Sequence, residues 1–248
     1  MSENIKKITK VFKVDLDSRE NQSIILKPSA RPSNNQAHQV NEVPAKIAEK
    51  IYKLIKGAKH PNDDIILNHN EIKEAFFSPF KPQLKDAQVF LSHSHADKNK
   101  ALEVKNYLES KTNHRVRVFI DSLFWDYKDD VLNELEKYDD TSKIKDAFTL
   151  ILRESLQNMI EKCPYFVFLQ SSNSVSDQGL SRTTYSAWIY EELKIANGLI
   201  ADSTLQESHI KAMRVSHNIT NLLRRFKSIS LDGLCKKISF NFITKDLE

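Results

Sequence analysis

The sequence predicts a doubly wound α/β fold built around a parallel sheet. Three short apolar runs, at about residues 88–92, 115–120 and 165–170, have the form of buried parallel strands. Segments with helical apolar spacing separate these runs, and such alternation favours strands joined by right-handed crossovers. In a sheet of this kind the ligand crevice lies outside the carboxyl ends of the strands. We therefore expect functional residues at those ends.

The start of the chain lacks this alternation. Residues 1–85 are predicted to form an N-terminal extension, and residues 86–248 the α/β domain. Strand-like runs at residues 8–16 and 23–26, separated by polar residues, predict a hairpin. The polar, proline-interrupted stretch at 28–39 is predicted to be a linker. Two amphipathic helices are predicted after it, over residues 45–55 and 70–77.

Polar side chains stand where the first two predicted strands of the α/β domain end. The first strand ends in Ser92, His93, Ser94 and His95. The serines are candidates either for turn capping or for binding ribose and phosphate groups, and the histidines are interpreted as turn residues rather than metal ligands. Asp97 is predicted to cap the next helix, whose core-facing residues include Val104. Asp121 closes the second strand.

Residues 121–138 are predicted to form a loop that enters a helix near Val131. Its rings, Phe124, Trp125 and Tyr127, fit an interaction or ligand surface and a packing role equally well. Residues 143–163 have helical spacing, and Pro164 ends that helix. The remaining segments are predicted to be a polar loop at 170–182, a helix at 203–223, and strands at 226–231 and 237–243.

The stretch from Tyr185 to Asn197 is predicted to be a helix that carries chemistry. Ile189, Leu193, Ala196 and Ile200 form its core stripe. Trp188 and Glu192 are i and i+4 neighbours, so the indole and the carboxylate can flank one cleft. Glu192 lies about 70° from the centre of the stripe and is predicted at its rim, whereas Glu191 is predicted to be solvated. The alternative is a packed tryptophan beside a charged helix edge.

The composition of the chain argues against several classes of function. The four glycines form no phosphate-binding motif, and the interleaved charges, with a net charge of +4, argue against a nucleic-acid partner. The two cysteines lack the spacing of a zinc site, and no metal is expected. No apolar run approaches the roughly 20 residues of a membrane span, and the first residues lack an apolar signal core. A cytoplasmic protein without a membrane partner is expected.

Four segments, in order, resemble the Toll/interleukin-1 receptor (TIR) domain family, particularly its bacterial members. They are residues 89–98 (VFLSHSHADK), 118–121 (VFID), 165–171 (YFVFLQS) and 186–193 (SAWIYEEL). The resemblance runs from about Ala87 to Asn197 and implies a flavodoxin-like sheet. It also places residues 122–130 at the family's BB loop. The interval from Asp121 to Tyr165 is longer than usual for the family, which predicts an insertion around residues 138–145.

The resemblance implies an enzyme that cleaves the nicotinamide–ribose bond of NAD⁺, its substrate rather than a cofactor. Glu192 matches the catalytic glutamate of enzymatic members. Trp188, Ser92, Ser94, Asp121 and Trp125 are the expected substrate-binding residues. Self-association through residues 122–130 and a role in antiphage defence are also implied, by depletion of NAD⁺ or by a nucleotide signal to a downstream effector. The sequence leaves open the trigger and whether the product is ADP-ribose, a cyclic isomer or a conjugate.

Two other classes of function also fit the sequence. A TIR scaffold without catalysis would act by self-association, with Glu192 incidental. A nucleoside deoxyribosyltransferase-like enzyme would form a covalent glycosyl adduct on its glutamate. A Ser/His hydrolase fits less well, because the chain has no G-x-S-x-G elbow.

Overall fold

The computed structural model describes residues 10–25, 43–57, 68–77, 87–112, 115–120, 122–137, 142–178, 181–200 and 216–245. By its contacts the chain forms two compact units. The first, the sheet unit, comprises Met1–Ala30, Asp86–Ile120 and Gln157–Glu248. The second, the helical unit, comprises Arg31–Lys85 and Asp121–Leu156.

The described strands and helices, in chain order, have the following bounds. The strands are β1 (Lys10–Asp15), β2 (Val89–Ser92), β3 (Val118–Ile120), β4 (Tyr165–Gln170), β5 (Ser176–Gln178), β6 (Ser181–Thr184), β7 (His217–Asn218) and β8 (Lys227–Ser228). The helices are α1 (Arg19–Ile25), α2 (Val43–Gly57), α3 (His69–Phe77), α4 (Lys98–Lys111), α5 (Ser122–Leu135), α6 (Ser142–Lys162), α7 (Ala187–Gly198), α8 (Thr220–Arg224) and α9 (Leu231–Lys245). A single 3₁₀ turn, His95–Asp97, precedes α4.

The sheet unit contains the predicted α/β fold. Five parallel strands form one sheet in the order β3-β2-β4-β1-β8. The three predicted parallel strands are confirmed, and β4 lies at the centre of the sheet. The connection after β2 leads to one edge strand, β3, and the chain after β4 leads to the other, β8. The direction of winding therefore reverses between β2 and β4, and their carboxyl ends flank the crevice where such folds bind ligands.

The two faces of the sheet have different side chains because successive residues of a strand point to opposite sides. One face carries aliphatic residues such as Val14, Leu91 and Val167, which pack against α4 and α9. The other face carries an aromatic layer in which the Phe90 and Phe166 rings stack with centroids 5.6 Å apart. All five of these side chains are fully buried.

The N-terminal segment differs from its prediction. β1 lies inside the sheet, paired along its whole length with β4 and also with β8. The predicted hairpin is wrong, because its second run lies in α1. Ser18 precedes that helix, and its hydroxyl and carbonyl oxygens accept hydrogen bonds from the backbone N–H groups of Asn21 and Gln22. Polar residues that resemble a turn therefore begin a helix. The chain leaves the sheet unit after Ala30 and returns to it after Lys85, the position where the N-terminal extension is predicted to end. The predicted linker at 28–39 lies outside the described residues.

The helical unit confirms the two helices predicted near residues 45–55 and 70–77. α2 packs against α3 and α5, with Ile51, Ile72 and Leu135 buried. The predicted loop after residue 121 is wrong from Ser122 onward, because α5 begins there rather than near Val131. α6 confirms the helix predicted over residues 143–163.

Three later predictions also need correction. The polar stretch at 170–182 contains β5 and β6, which pair as antiparallel strands. Residues 237–243 lie in α9, where Leu231, Leu234 and Ile238 are buried at helical spacing. Most of the helix predicted at 203–223 lies outside the described residues, and its described end contains the short strand β7 followed by most of α8. The strand predicted at 226–231 is confirmed as the shorter β8.

Candidate functional site

Ser92 and Ser94 lie at the carboxyl end of β2, beside the point where the winding of the sheet reverses. Ser92 is fully buried, and its hydroxyl has no hydrogen-bond partner among the described residues. Ser94 is half-buried and leads into the 3₁₀ turn. Nδ1 of His93 lies 2.7 Å from the Ser94 carbonyl oxygen, so His93 is a turn residue as predicted. A buried hydroxyl without a partner at a strand end is a group that a ligand can satisfy.

Asp97 is a site residue that the sequence reasoning missed. Asp97 occupies the N-cap position of α4, as predicted, but its side chain makes no capping hydrogen bond there. The buried carboxylate instead accepts hydrogen bonds from the Ser171 hydroxyl and, at 2.9 Å, from Nδ2 of Asn173. The Lys100 ammonium lies 3.4 Å away. Asp97 thereby ties the end of β2 to the turn after β4.

Asp17 adds the end of β1 to the same network. Its carboxylate accepts a hydrogen bond of 2.8 Å from the backbone N–H of Ser172, and lies 3.6 Å from the Lys100 ammonium. Three strand ends are thus held together by charge-assisted hydrogen bonds, which are stronger than neutral ones. Asp17, Asp97 and Ser171 are far apart in sequence, and no local pattern indicates that they meet.

Trp188 and Glu192 lie on α7, whose start is well defined. Ser186 caps the helix, because its hydroxyl accepts a hydrogen bond of 3.2 Å from the backbone N–H of Ile189. The predicted stripe is confirmed at Ile189, Leu193 and Ala196, which are buried. Ile200 lies beyond the end of α7 and is half-buried. Trp188 is half-buried.

Glu192 does not lie at the rim of that stripe, as predicted. It is fully buried, with 0% of its surface exposed. The buried face of α7 is wider than its apolar residues indicate, because Asn197 is also covered. A side chain about 70° from the stripe centre therefore still falls under neighbouring structure. Glu191 is half-buried rather than fully solvated.

The far end of α7 is also held in place. The Arg225 guanidinium donates a hydrogen bond of 2.7 Å to Oδ1 of Asn197, and Nδ2 of Asn197 donates to the Leu222 carbonyl oxygen at 3.4 Å. Tyr190 stacks on His217, with ring centroids 4.5 Å apart, and burial lowers the pKa of His217. α7 thus holds Trp188 and Glu192 on a helix anchored at both ends.

The structure does not describe the side chains of two predicted site residues, Asp121 and Trp125. Asp121 lies outside the described residues. Trp125 belongs to α5 of the helical unit, and its side chain is outside the described part of the structure. The structure thus brings Ser92 together with Ser94, and Trp188 with Glu192. That these two pairs share one cleft stays a prediction.

Within the described ranges, no group of three or more His, Cys, Asp and Glu side chains is arranged to hold a metal ion. Among the helices described, none combines the length and apolar character that a membrane span requires. Comparisons with family models, with curated proteins and with solved structures gave no match. The resemblance to TIR domains therefore depends on the four sequence segments alone.

Proposed function

We propose that the protein cleaves the nicotinamide–ribose bond of NAD⁺, as a glycohydrolase or a cyclase. The observation that carries this proposal is Glu192, a fully buried carboxylate one helical turn from the half-buried ring of Trp188. Acidic side chains are seldom fully buried in a fold without a specific reason. A fully buried carboxylate beside an aromatic ring is therefore a candidate functional group.

Cleavage of the nicotinamide–ribose bond requires few catalytic side chains. Nicotinamide leaves as a neutral molecule from a cationic pyridinium, so no strong general acid is needed. Positive charge develops on the ribose as the bond breaks, and one positioned carboxylate stabilises that charge. Water, or a nucleophilic atom elsewhere in the ADP-ribose, then attacks the anomeric carbon. Glu192 has the role of the stabilising carboxylate in this proposal.

The substrate-binding roles are assigned by chemical type. Trp188 offers a ring face that stacks on the cationic nicotinamide, a contact worth roughly 0.5 to 2 kcal/mol. The buried Ser92 hydroxyl and the neighbouring Ser94 bind ribose or phosphate oxygens. Asp121 and Trp125 belong to the same proposal through the resemblance alone. No further cofactor is required.

The burial of Glu192 also bears on how the enzyme is switched on. With 0% of Glu192 exposed, a substrate reaches the carboxylate only after the covering side chains move. A conformation that opens this region on self-association would couple activity to assembly. We propose that residues 122–130, now seen within α5, form the self-association surface. The biological role that accompanies the proposal is antiphage defence through NAD⁺ depletion or a nucleotide signal to an effector.

Substitution of Glu192 by glutamine tests the catalytic role. Glutamine keeps the size of the side chain and removes its charge, so Glu192→Gln is expected to lower NAD⁺ cleavage at least about a hundredfold. Glu191→Gln, the adjacent matched control, is expected to leave the rate nearly unchanged. Products are separated by mass spectrometry, and circular dichroism checks the fold. Equal losses in the two variants would contradict the assignment of Glu192.

The same measurement separates the alternatives. A glycosyl adduct on Glu192, detected as added mass on the peptide that contains it, would indicate a nucleoside deoxyribosyltransferase-like reaction. A protein that self-associates but leaves NAD⁺ intact at every concentration would indicate a scaffold. Either result replaces the NAD⁺ proposal.

Dependence on protein concentration tests the self-association proposal. NAD⁺ cleavage per protomer is expected to rise from dilute to concentrated protein, and Trp125→Ala is expected to flatten that rise while the fold is retained. Leu150→Ala serves as the control, because Leu150 is a 51% exposed apolar residue of the helical unit outside the proposed surface. Activity per protomer that is constant with concentration, in wild type and variant alike, would exclude an assembly requirement.

A further inference from the structure

A polar cavity opens at the carboxyl ends of β1 and β4, beside β8, within the sheet unit. Its volume is about 400 Å³, and its lining includes Lys13, Asp15, Gln170, Arg182, Ser228 and Ser230. Small-molecule sites generally occupy about 300 to 1,000 Å³, so the cavity has room for a compact metabolite. It shares no residue with the proposed NAD⁺ site.

The floor of the cavity follows from strand register. Lys13 and Asp15 are two residues apart on β1 and therefore point to the same face of the sheet. The register pairs Lys13 with Ser228 and Asp15 with Gln170. Four polar side chains thus meet at the edge of a face whose interior is the aromatic layer. Arg182, from β6, contributes a further charged side chain to the lining.

The two cations of the cavity are poorly neutralised by the protein. The half-buried Lys13 ammonium donates one long hydrogen bond, 3.4 Å, to the Leu223 carbonyl oxygen, and forms no ion pair within the described residues. Burial, and then the positive charge of Arg182, lower the pKa of Lys13. Arg182 has only a loose contact, 3.5 Å, with Asp177, and these side chains are 39% and 69% exposed. Such an exposed pair contributes little.

The acidic side chains of the cavity lie in a different environment. Asp15 and Glu20 are exposed, whereas Lys13 is half-buried. Water screens the exposed carboxylates more than it screens the Lys13 ammonium. The Asp15 carboxylate already accepts a hydrogen bond of 3.0 Å from the backbone N–H of Asp17, which leaves further lone pairs for hydroxyl groups.

We propose that this cavity binds the phosphate monoester of a small hydroxylated metabolite. The phosphate lies between Lys13 and Arg182, and the hydroxyl groups of the same molecule lie against Asp15 and Gln170. A phosphate monoester suits the site because its double negative charge matches two cations, and because a guanidinium pairs with two phosphate oxygens at once. The hydroxyls of Ser228 and Ser230 supply additional donors. The proposal is independent of NAD⁺ cleavage.

Calorimetric titration of the full-length protein tests the site. The probes are ribose 5-phosphate, adenosine 5′-monophosphate, inorganic phosphate and unphosphorylated ribose. Both monoesters are expected to bind, ribose is expected to give no signal, and phosphate alone is expected to bind more weakly than the monoesters. The stronger of the two monoesters identifies a sugar phosphate or a nucleotide as the natural class. Affinity is expected to fall as salt is added.

Substitutions test whether the cationic side chains of the cavity bind the phosphate group. Lys13→Met is expected to lower the affinity for ribose 5-phosphate at least about tenfold, because a charge-assisted hydrogen bond is lost. Lys13→Arg is expected to retain most of it. Lys227→Met is the matched control: Lys227 is an exposed lysine next to Ser228 on β8, and strand alternation turns it to the opposite face. Glu192→Gln is expected to leave this binding unchanged, which separates the cavity from the proposed catalytic site.

A structural role for Lys13 would give a different result. Thermal unfolding of Lys13→Met is expected at the wild-type temperature or above it, because the substitution removes a partly buried cation from beside another. Arg182→Gln provides a second variant with the same expected loss of binding. Monoesters that bind no better than ribose, or equal losses of affinity in the Lys13→Met and Lys227→Met variants, would overturn the proposal.

Discussion

The two cysteines are free thiols in different surroundings. Cys163 follows α6 and is 2% exposed, and burial raises its pKa to about 12. Cys235 lies on α9 and is 8% exposed; burial also raises its pKa, while a hydrogen bond to Ser239 opposes that shift. Because the thiolate is the reactive form, Cys163 combines poor access with almost no thiolate at neutral pH.

We therefore predict that Cys163 reacts with a thiol reagent only when the protein unfolds. In a Cys235→Ser variant, the single remaining thiol is expected to be modified at a rate that rises with denaturant concentration and is negligible in native buffer. Cys163→Ser, which retains Cys235, serves as the comparison. Stoichiometric modification of Cys163 in the native protein would show that the end of α6 opens readily.

The burial of a side chain could be predicted from the sequence when it depends on the periodicity of a single helix or strand. The stripe of Ile189 and Leu193 follows from helical spacing alone, and it is buried as expected. The depth of Glu192 depends on what covers the helix from outside, which no local pattern encodes. Asp97 was predicted as a helix cap for its residue type, yet its carboxylate binds Ser171 and Asn173 of a turn that follows a distant strand.

At the scale of elements, the start of α7 offers a direct test. The Ser186 hydroxyl accepts a hydrogen bond from the backbone N–H of Ile189, so Ser186→Ala is expected to lower the free energy of unfolding by about 1 kcal/mol. Ser186→Asn is expected to preserve it. Ser172→Ala, at an exposed turn position, is the control and is expected to change it by less than about 0.5 kcal/mol. Urea denaturation measures all three, and equal effects of Ser186→Ala and Ser172→Ala would contradict a capping role.

Helices and strands could be predicted where the segment has a single hydrophobic periodicity. β4 is apolar throughout, and α6 has a regular buried stripe that includes Phe148 and Ile151. Prediction failed where two patterns overlapped. Residues 237–243 alternate like a strand, but the buried positions of α9, Leu231, Leu234 and Ile238, follow helical spacing that begins earlier. The pairing of β5 with β6 was missed because these strands are polar and packed only in part.

At the scale of the whole molecule, the main surprise is the position of β1. The sequence predicts a strand at residues 8–16 and pairs it with the nearest strand-like run, at residues 23–26. The structure pairs it with β4, more than 100 residues later. Hydrophobic pattern defines which segments are strands, whereas the order of parallel strands depends on the connections between them. A chain segment that resembles an appendage is therefore part of the core.

This placement predicts that residues 86–248 do not fold without the start of the chain. Every residue of β1 pairs with β4, and Phe12, Val14 and Leu16 are at most 2% exposed. Burial of each such side chain contributes about 1.5 to 3 kcal/mol, so their joint loss is comparable with a typical net stability of about 5 to 15 kcal/mol. Truncation would also leave the central strand β4 with an unpaired edge, which promotes aggregation.

The truncated chain is expected to be insoluble, or to lack dispersed amide signals in NMR spectra and cooperative unfolding. A synthetic peptide of residues 6–27, added during refolding, is expected to restore both by supplying β1 and α1 in trans. A scrambled peptide of the same composition is the control, because it has the same charge and hydrophobicity but cannot place Phe12 and Val14 on one face. If residues 86–248 unfold cooperatively without any peptide, β1 is dispensable, and the start of the chain is an appendage after all.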